Sequence, residues 1–245
     1  MTRPVRPAHH PGGPPTMATY VLIHAAAVDS WCWHLLEAEL RARGHDVVAV
    51  DLPSDDDSAG LAEYADIVVD AVGDRNDVVV VAHSFGGFTA PLVCERLSAD
   101  LLVMLQAQIP LPGEAPGDWW GNTGYPEARS EADERNGLSP EAADDPMVLV
   151  LHDTPHEIAT EFLTRQRDQS GTPFGPPWPL EAWPNVPTKV LLARDDRFFP
   201  LEFMRRVARD RLGIEPDVMP GDHCPMLGHT KEVADRLEEY RVEVR

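Results

Sequence analysis

Cysteine is scarce in this chain. The three residues, Cys32, Cys94 and Cys224, are an odd number at wide spacings, which argues against a disulfide framework and offers no zinc pattern. A reducing compartment, the cytoplasm, is the expectation. Basic residues are also few, 21 Lys and Arg against 41 Asp and Glu, and the formal net charge is −20. Such a field repels phosphate backbones and anionic lipid, so nucleic acid is not expected as a partner. Long apolar runs are missing: "YVLIHAAAV" is about half the length a membrane span needs and carries His24 in its middle. No membrane segment and no signal peptide are expected. What remains is a 245-residue chain, 43% apolar and 25% charged, ordinary for a globular protein and long enough for one large sheet with an insertion.

The first 17 residues, "MTRPVRPAHHPGGPPTM", have little apolar surface to bury. Residues 1–18 are therefore expected as a disordered tail, with the folded body starting near Thr19. Six apolar, β-branched runs follow: "TYVLIH", "DVVAV", "DVVVVAH", "LLVMLQ", "TKVLLA" and "EPDVM". Most are continuous rather than alternating, as in strands of a parallel sheet covered on both faces. Helical patterns lie between them. Asp29 or Ser30 caps one carrying Trp33, Leu36 and Leu40; another runs from Phe85 to about Leu97; others start at Pro200 and Thr230. Strand and helix alternate, so the fold class is α/β with right-handed crossovers. The alternation breaks in residues 111–187, where proline, glycine and tryptophan accumulate. These form an insertion, irregular at first, with one good helix whose capping box is Thr154, Pro155 and Glu157. The core is then 19–110 and 188–245.

The stretch "DVVVVAHSFGGFTA" ends a buried strand in Ser84 and turns at once into a helix. That is the nucleophile elbow, in which the residues two before and two after the serine must be small. Here they are Ala82 and Gly86, with Gly87 giving the helix further room. A serine needs a base. Of the ten histidines, His223 and His229 lie after the last strand, and His223 sits in the loop of "MPGDHCPMLGH". The base needs a carboxylate, and "LLARDDRFFP" supplies Asp196, with Asp195 as the alternative. An oxyanion requires two N–H donors. Phe85, following the nucleophile, is the first; the loop "HAAAVDSWCW" supplies the second, at Ala26.

In "HAAAVDSWCW", "AHSFGG", "DDRFFP" and "PGDHCPML", in that order, the chain resembles the α/β-hydrolase superfamily from Tyr20 to Tyr240. Within it the resemblance is to the compact branch of plant-type esterases and hydroxynitrile lyases, which carry a His-Gly-x-x-x-x-x-Trp-x-Trp motif. The resemblance implies an α/β-hydrolase fold, a mostly parallel sheet with helices on both faces and a small, mainly helical cap in 111–187. It also implies Ser84, Asp196 and His223 as a catalytic triad and Ala26 and Phe85 N–H as the oxyanion hole. Ala25 departs from the family's glycine. Cys224 stands where the lyases place a lysine, which argues against cyanohydrin cleavage, and a serine nucleophile argues against the dehalogenases and epoxide hydrolases of the superfamily.

The cluster "HDTPHE" is explained by helix-start chemistry, so no metal is expected; "SDDDS" lacks calcium-loop spacing. Trp33, Trp119, Trp120 and Phe162 are candidates for an apolar substrate pocket. The function expected is a cofactor-free serine esterase cleaving a carboxylic ester, lactone or thioester of a small, largely apolar substrate through an acyl-enzyme. The alternatives are a cofactor-free lyase, C–C hydrolase or cyclase using the same residues, and a non-catalytic binder of a small ligand. A small molecule is the partner expected, with a homodimer as the assembly allowed for.

Overall fold

The structure, a computed structural model, describes residues 17–244. Residues 1–16, which make up most of the expected tail, lie outside the described residues. Ala18, near the start of the described residues, is buried, and its N–H donates to His45 Nδ1 at 3.2 Å.

The strands are β1 (Thr19–Ile23), β2 (Asp46–Ala49), β3 (Val78–His83), β4 (Ala99–Leu105), β5 (Thr188–Ala193) and β6 (Asp217–Met219). They form one parallel sheet in the order β2-β1-β3-β4-β5-β6. All six residues of β3 are buried. Val78, Val80 and Ala82 face one core, and Val79 and Val81 the other, which is why the run is continuous rather than alternating. The expected sixth run shrinks to three residues.

A 3-10 turn (Ser30–Trp33), capped by Asp29 rather than Ser30 through Oδ1 accepting from Trp31 N at 3.1 Å, leads into α1 (His34–Ala42), whose own N-cap, Trp33, makes no side-chain capping bond. Helices α2 (Leu61–Val72) and α3 (Gly86–Arg96) follow β2 and β3. Between β4 and β5 come α4 (Trp119–Asn122), α5 (Tyr125–Asn136), α6 (Pro140–Ala143), α7 (Pro146–Leu149) and α8 (His156–Thr164); the chain ends with α9 (Leu201–Leu212), α10 (Pro225–Gly228) and α11 (Thr230–Glu243). Helices α2, α3 and α9 cover one face of the sheet, and α1, α8 and α11 the other.

The stretch expected to be irregular contains the 12-residue α5. It buries only Ala132, so no apolar stripe announces it. Its order comes from its ends and from a side-chain pair: Pro126 in the first turn, Gly137 left-handed at the C-cap, and Arg129 Nε on Asp133 Oδ1 at 2.8 Å one turn on. The insertion is fastened to α9 by a buried, two-pronged ion pair. Arg211 Nη1 and Nη2 meet Glu114 Oε2 and Oε1 at 2.5 and 2.8 Å. Burial alone would raise the Glu114 pKa, but the Arg211 guanidinium and the Asn122 amide outweigh it and hold the carboxyl below its ordinary range.

The chain runs outward to β2 on one side of β1 and to β3, β4, β5 and β6 on the other. The crevice outside the carboxyl ends of β1 and β3 is thus a topological switch point, where open α/β sheets bind ligands. Helix α3 approaches that edge very closely. A Cβ on Gly86 would stand 2.7 Å from the Ile23 carbonyl oxygen and 2.8 Å from that of His24; on Gly87 it would stand 2.0 Å from the Gln108 carbonyl oxygen. No rearrangement of a side-chain tip relieves a clash with backbone.

In urea unfolding, Gly87→Ala is expected to lose at least about 3 kcal/mol or to fail to fold. Gly121→Ala, where a Cβ meets no atom within 4 Å, should stay within about 0.5 kcal/mol of the parent. Equal stability of the two variants would contradict the close approach. Arg211→Met leaves a buried carboxylate unpaired and should cost about 3–5 kcal/mol near neutral pH. Because the folded-state pKa of Glu114 is depressed, the pair stabilises above the ordinary glutamate range and its contribution is lost as pH falls through the folded value. Unfolding curves of parent and variant should therefore converge on acidification; a constant gap would disprove it.

Candidate active site

Ser84 directly follows β3 with φ of 49°, left-handed backbone for a non-glycine residue, and is buried. Such strain persists only where the surroundings over-determine it. The Ser84 carbonyl accepts from Gly87 N and Gln108 N, both at 3.0 Å, and α3 starts two residues later. Phe85 follows at the helix N-terminus, its ring stacked on Phe174 of the insertion with centroids 4.4 Å apart.

The loop after β1 stands opposite. Ala26 lies in a turn with Ala27, whose φ is 59°. Ala27 N donates to Gln169 Oε1 at 3.1 Å, and its carbonyl accepts from Arg167 N at 2.9 Å. The loop is therefore braced from the insertion. His24 supports it from below: Nε2 accepts from Leu52 N at 2.9 Å, so Nδ1 carries the proton and donates to the Ala25 carbonyl at 2.7 Å. Burial lowers the His24 pKa, which keeps this arrangement neutral.

Asp196 and His223 meet at this edge, with Asp196 Oδ2 and His223 Nδ1 2.8 Å apart. Phe198 N and Phe199 N donate to Asp196 Oδ1 at 2.7 and 2.9 Å, and Gln106 Nε2 donates to Oδ2. The alternatives go elsewhere. Asp195 is exposed, and His229 Nε2 is paired with Asp153 Oδ2 at 2.7 Å. His83, the residue before Ser84, holds the histidine loop: its Nε2–H donates to the His223 carbonyl at 2.8 Å, and the two rings lie 4.8 Å apart. Burial, followed by the nearby His223 ring, pushes the His83 pKa well down.

Asp222, beside His223, is almost fully buried and accepts from Cys224 N at 2.9 Å, Asp153 N at 3.0 Å and Thr154 Oγ1 at 2.9 Å. Burial raises its pKa against the pull of these donors. This corrects the expected capping box. Thr154 is drawn to Asp222 instead, α8 starts at His156, and its N-cap Pro155 offers no side-chain acceptor.

Of the side chains expected to line a pocket, Trp33, Trp119 and Phe162 are packed into the two cores, and Trp119 Nε1 donates to the Ile109 carbonyl at 3.0 Å. Trp120 is half-buried, its ring 6.0 Å from Phe199. The phenyl rings beside His223 are those of Phe198 and Phe199, at 4.9 and 5.1 Å. A cavity of about 560 Å³ lies on the other side of Asp196, between Arg135 and His152 of the insertion and Arg194, Arg197 and Glu202 of the core; Ser84 and His223 do not line it. Among the described residues no three His, Cys, Asp or Glu side chains are grouped to hold a metal ion, and no helix is long and apolar enough to cross a membrane.

No sequence motif marks Gln106, His83, His24 or Asp222. Each is a polar residue at the end of an apolar run or beside a candidate, which is the one local signal they give.

Residues 20–236 match the model of the alpha/beta hydrolase family. Among curated proteins the chain is similar to norfluorocurarine synthase 1 from Strychnos sp, 21% identical over 90% of this chain and 94% of that protein. It is also similar to methylesterase 8 from Arabidopsis thaliana, 23% identical over 89% and 87%. Among solved structures, polyneuridine aldehyde esterase superposes with a TM-score of 0.73 at 19% identity, covering 91% of this chain and 99% of that one. The parallel sheet, the strand-to-helix elbow after β3 and the family match over nearly the whole length agree: the chain belongs to the alpha/beta hydrolase family.

Proposed function

We propose that the protein is a serine esterase that cleaves a carboxylic ester, lactone or thioester of a small, largely apolar substrate through an acyl-enzyme. The observation that carries this reading is the Asp196–His223 hydrogen bond of 2.8 Å at the sheet edge where Ser84 is held in left-handed backbone. A carboxylate can only accept from Nδ1–H, so the neutral ring keeps its lone pair on Nε2, the form a general base needs. His223 takes the Ser84 proton as the hydroxyl attacks the carbonyl carbon, then returns it to the leaving alcohol or thiol. The same base activates the water that hydrolyses the acyl-enzyme. Phe85 N–H, at the N-terminus of α3, and Ala26 N–H stabilise the oxyanion, each typically worth about 3 kcal/mol. Phe85, Phe174, Phe198 and Phe199 supply apolar surface near the reacting groups. Curated relatives named methylesterase 8 and methyl jasmonate esterase 1, each similar along about nine-tenths of the chain, support ester cleavage. Three buried, unpaired cysteines suit a reducing compartment such as the cytoplasm.

A second reading is favoured by the similarity, over 90% of the chain, to a protein named a synthase. In it Ser84 and His223 move protons on a bound substrate and no acyl-enzyme forms.

Intact-mass and peptide mass spectrometry after fluorophosphonate treatment is expected to show one adduct, on Ser84, and Ser84→Ala is expected to abolish turnover of short-chain p-nitrophenyl esters. Absence of the adduct would count against the esterase and for the second reading. Asp196→Asn should lower kcat by about 10⁴-fold, and Asp195→Asn should leave it within a few-fold. Equal losses would overturn the assignment of Asp196.

A further inference from the structure

Gln106 occupies a place that packing alone does not explain. It directly follows β4, fully buried, in left-handed backbone with φ of 46°, a conformation that costs a non-glycine residue on the order of 1 kcal/mol or more. Its amide oxygen Oε1 is buried and has no hydrogen-bond partner among the described residues. An unsatisfied buried polar atom is unfavourable. A leucine or methionine of similar volume would fill the space without that penalty, so the carboxamide needs a reason of its own.

Its nitrogen supplies one. Nε2 faces the Asp196 carboxylate oxygen Oδ2 and, at 3.5 Å, the Ala193 carbonyl. Both are acceptors, so the NH₂ end of the amide must point there. The backbone is pinned in turn, Gln106 N donating to the Leu191 carbonyl of β5 at 3.0 Å. Asp196 Oδ2 is also the oxygen bonded to His223 Nδ1. With Phe198 N and Phe199 N on Oδ1, four donors fix both oxygens of the carboxylate.

We propose that Gln106 is a positioning residue of the Asp196–His223 pair: its N–H holds the carboxylate oxygen on which the imidazole rests and draws negative charge from it. The proposal rests on the serine esterase reading, in which His223 is the base. A donor to the carboxylate weakens its pull on the imidazolium. Without Gln106 the ring takes up its second proton more readily, and the carboxylate loses the partner that fixes Oδ2.

Other groups near the pair are His83 from β3, Asp222 and Cys224 on the histidine's own loop, His152 and Tyr125 from the insertion, and Arg197 close to His152. None is altered by a substitution at 106, so a shift measures the amide.

The test is a pH titration of the His223 ring by ¹³C-histidine NMR, assigned with His223→Ala, in the parent and in Gln106→Met. The ring's titration midpoint is expected to rise by about half a pH unit to one unit. The acidic limb of kcat/KM for p-nitrophenyl esters should move upward by the same amount, and kcat should fall about tenfold or more while KM changes little. Gln106→Leu repeats the measurement if the methionine variant is unstable. An unchanged midpoint in a folded variant overturns the proposal. Failure of both apolar variants to fold would show that the amide serves the fold, and overturns it as well. If the parent shows neither ester turnover nor a Ser84 adduct, the esterase reading fails while the NMR midpoint still decides the role of Gln106.

Discussion

The close approach of α3 to the carboxyl edge of the sheet is the constraint on which the rest depends. A strand that becomes a helix within two residues brings backbone against backbone, with Gly86 over the carbonyls of Ile23 and His24 and Gly87 over that of Gln108. The same contact brings the loop after β1, the start of α3 and the exit from β4 into one small volume. Ser84 is strained because that volume is small. Its left-handed backbone is held by two hydrogen bonds to its own carbonyl and by a strand buried on both faces.

Two of the histidines in this region serve as neutral hydrogen-bond donors. His24 and His83 are buried, and burial lowers the pKa of both. Each spends its one N–H on a main-chain carbonyl, that of Ala25 in the loop after β1 or that of His223 in the loop after β6. A neutral imidazole reaches further than a hydroxyl and adds no charge next to Asp196 and His223. The loops on either side of Ser84 are thus steadied by the same device.

Much of this edge was legible in the sequence because its determinants are local. Continuous valines mark a strand covered on both faces, small residues flank a serine in a sharp turn, and Asp196 and His223 each follow a recognisable strand. What was hidden depends on distant partners. Thr154 looks like a helix cap until Asp222, 68 residues away, takes its hydroxyl. Gln106 is only the last residue of an apolar run until the fold places it beside Asp196. Helix α5 has ends and an internal pair but no apolar stripe, so periodicity passes over it. Trp33, Trp119 and Phe162 have the composition of a pocket and the burial of a core, a distinction that only three-dimensional neighbours draw.

The hydrogen bonds of Asp222 give the insertion a further meaning. Two of the three donors to this buried carboxylate, Asp153 N and Thr154 Oγ1, come from the insertion, and the carboxylate sits one residue before His223. The two parts behave as one linkage: a hinge at this seam could not open without stripping the carboxylate of partners and loosening the loop that carries His223.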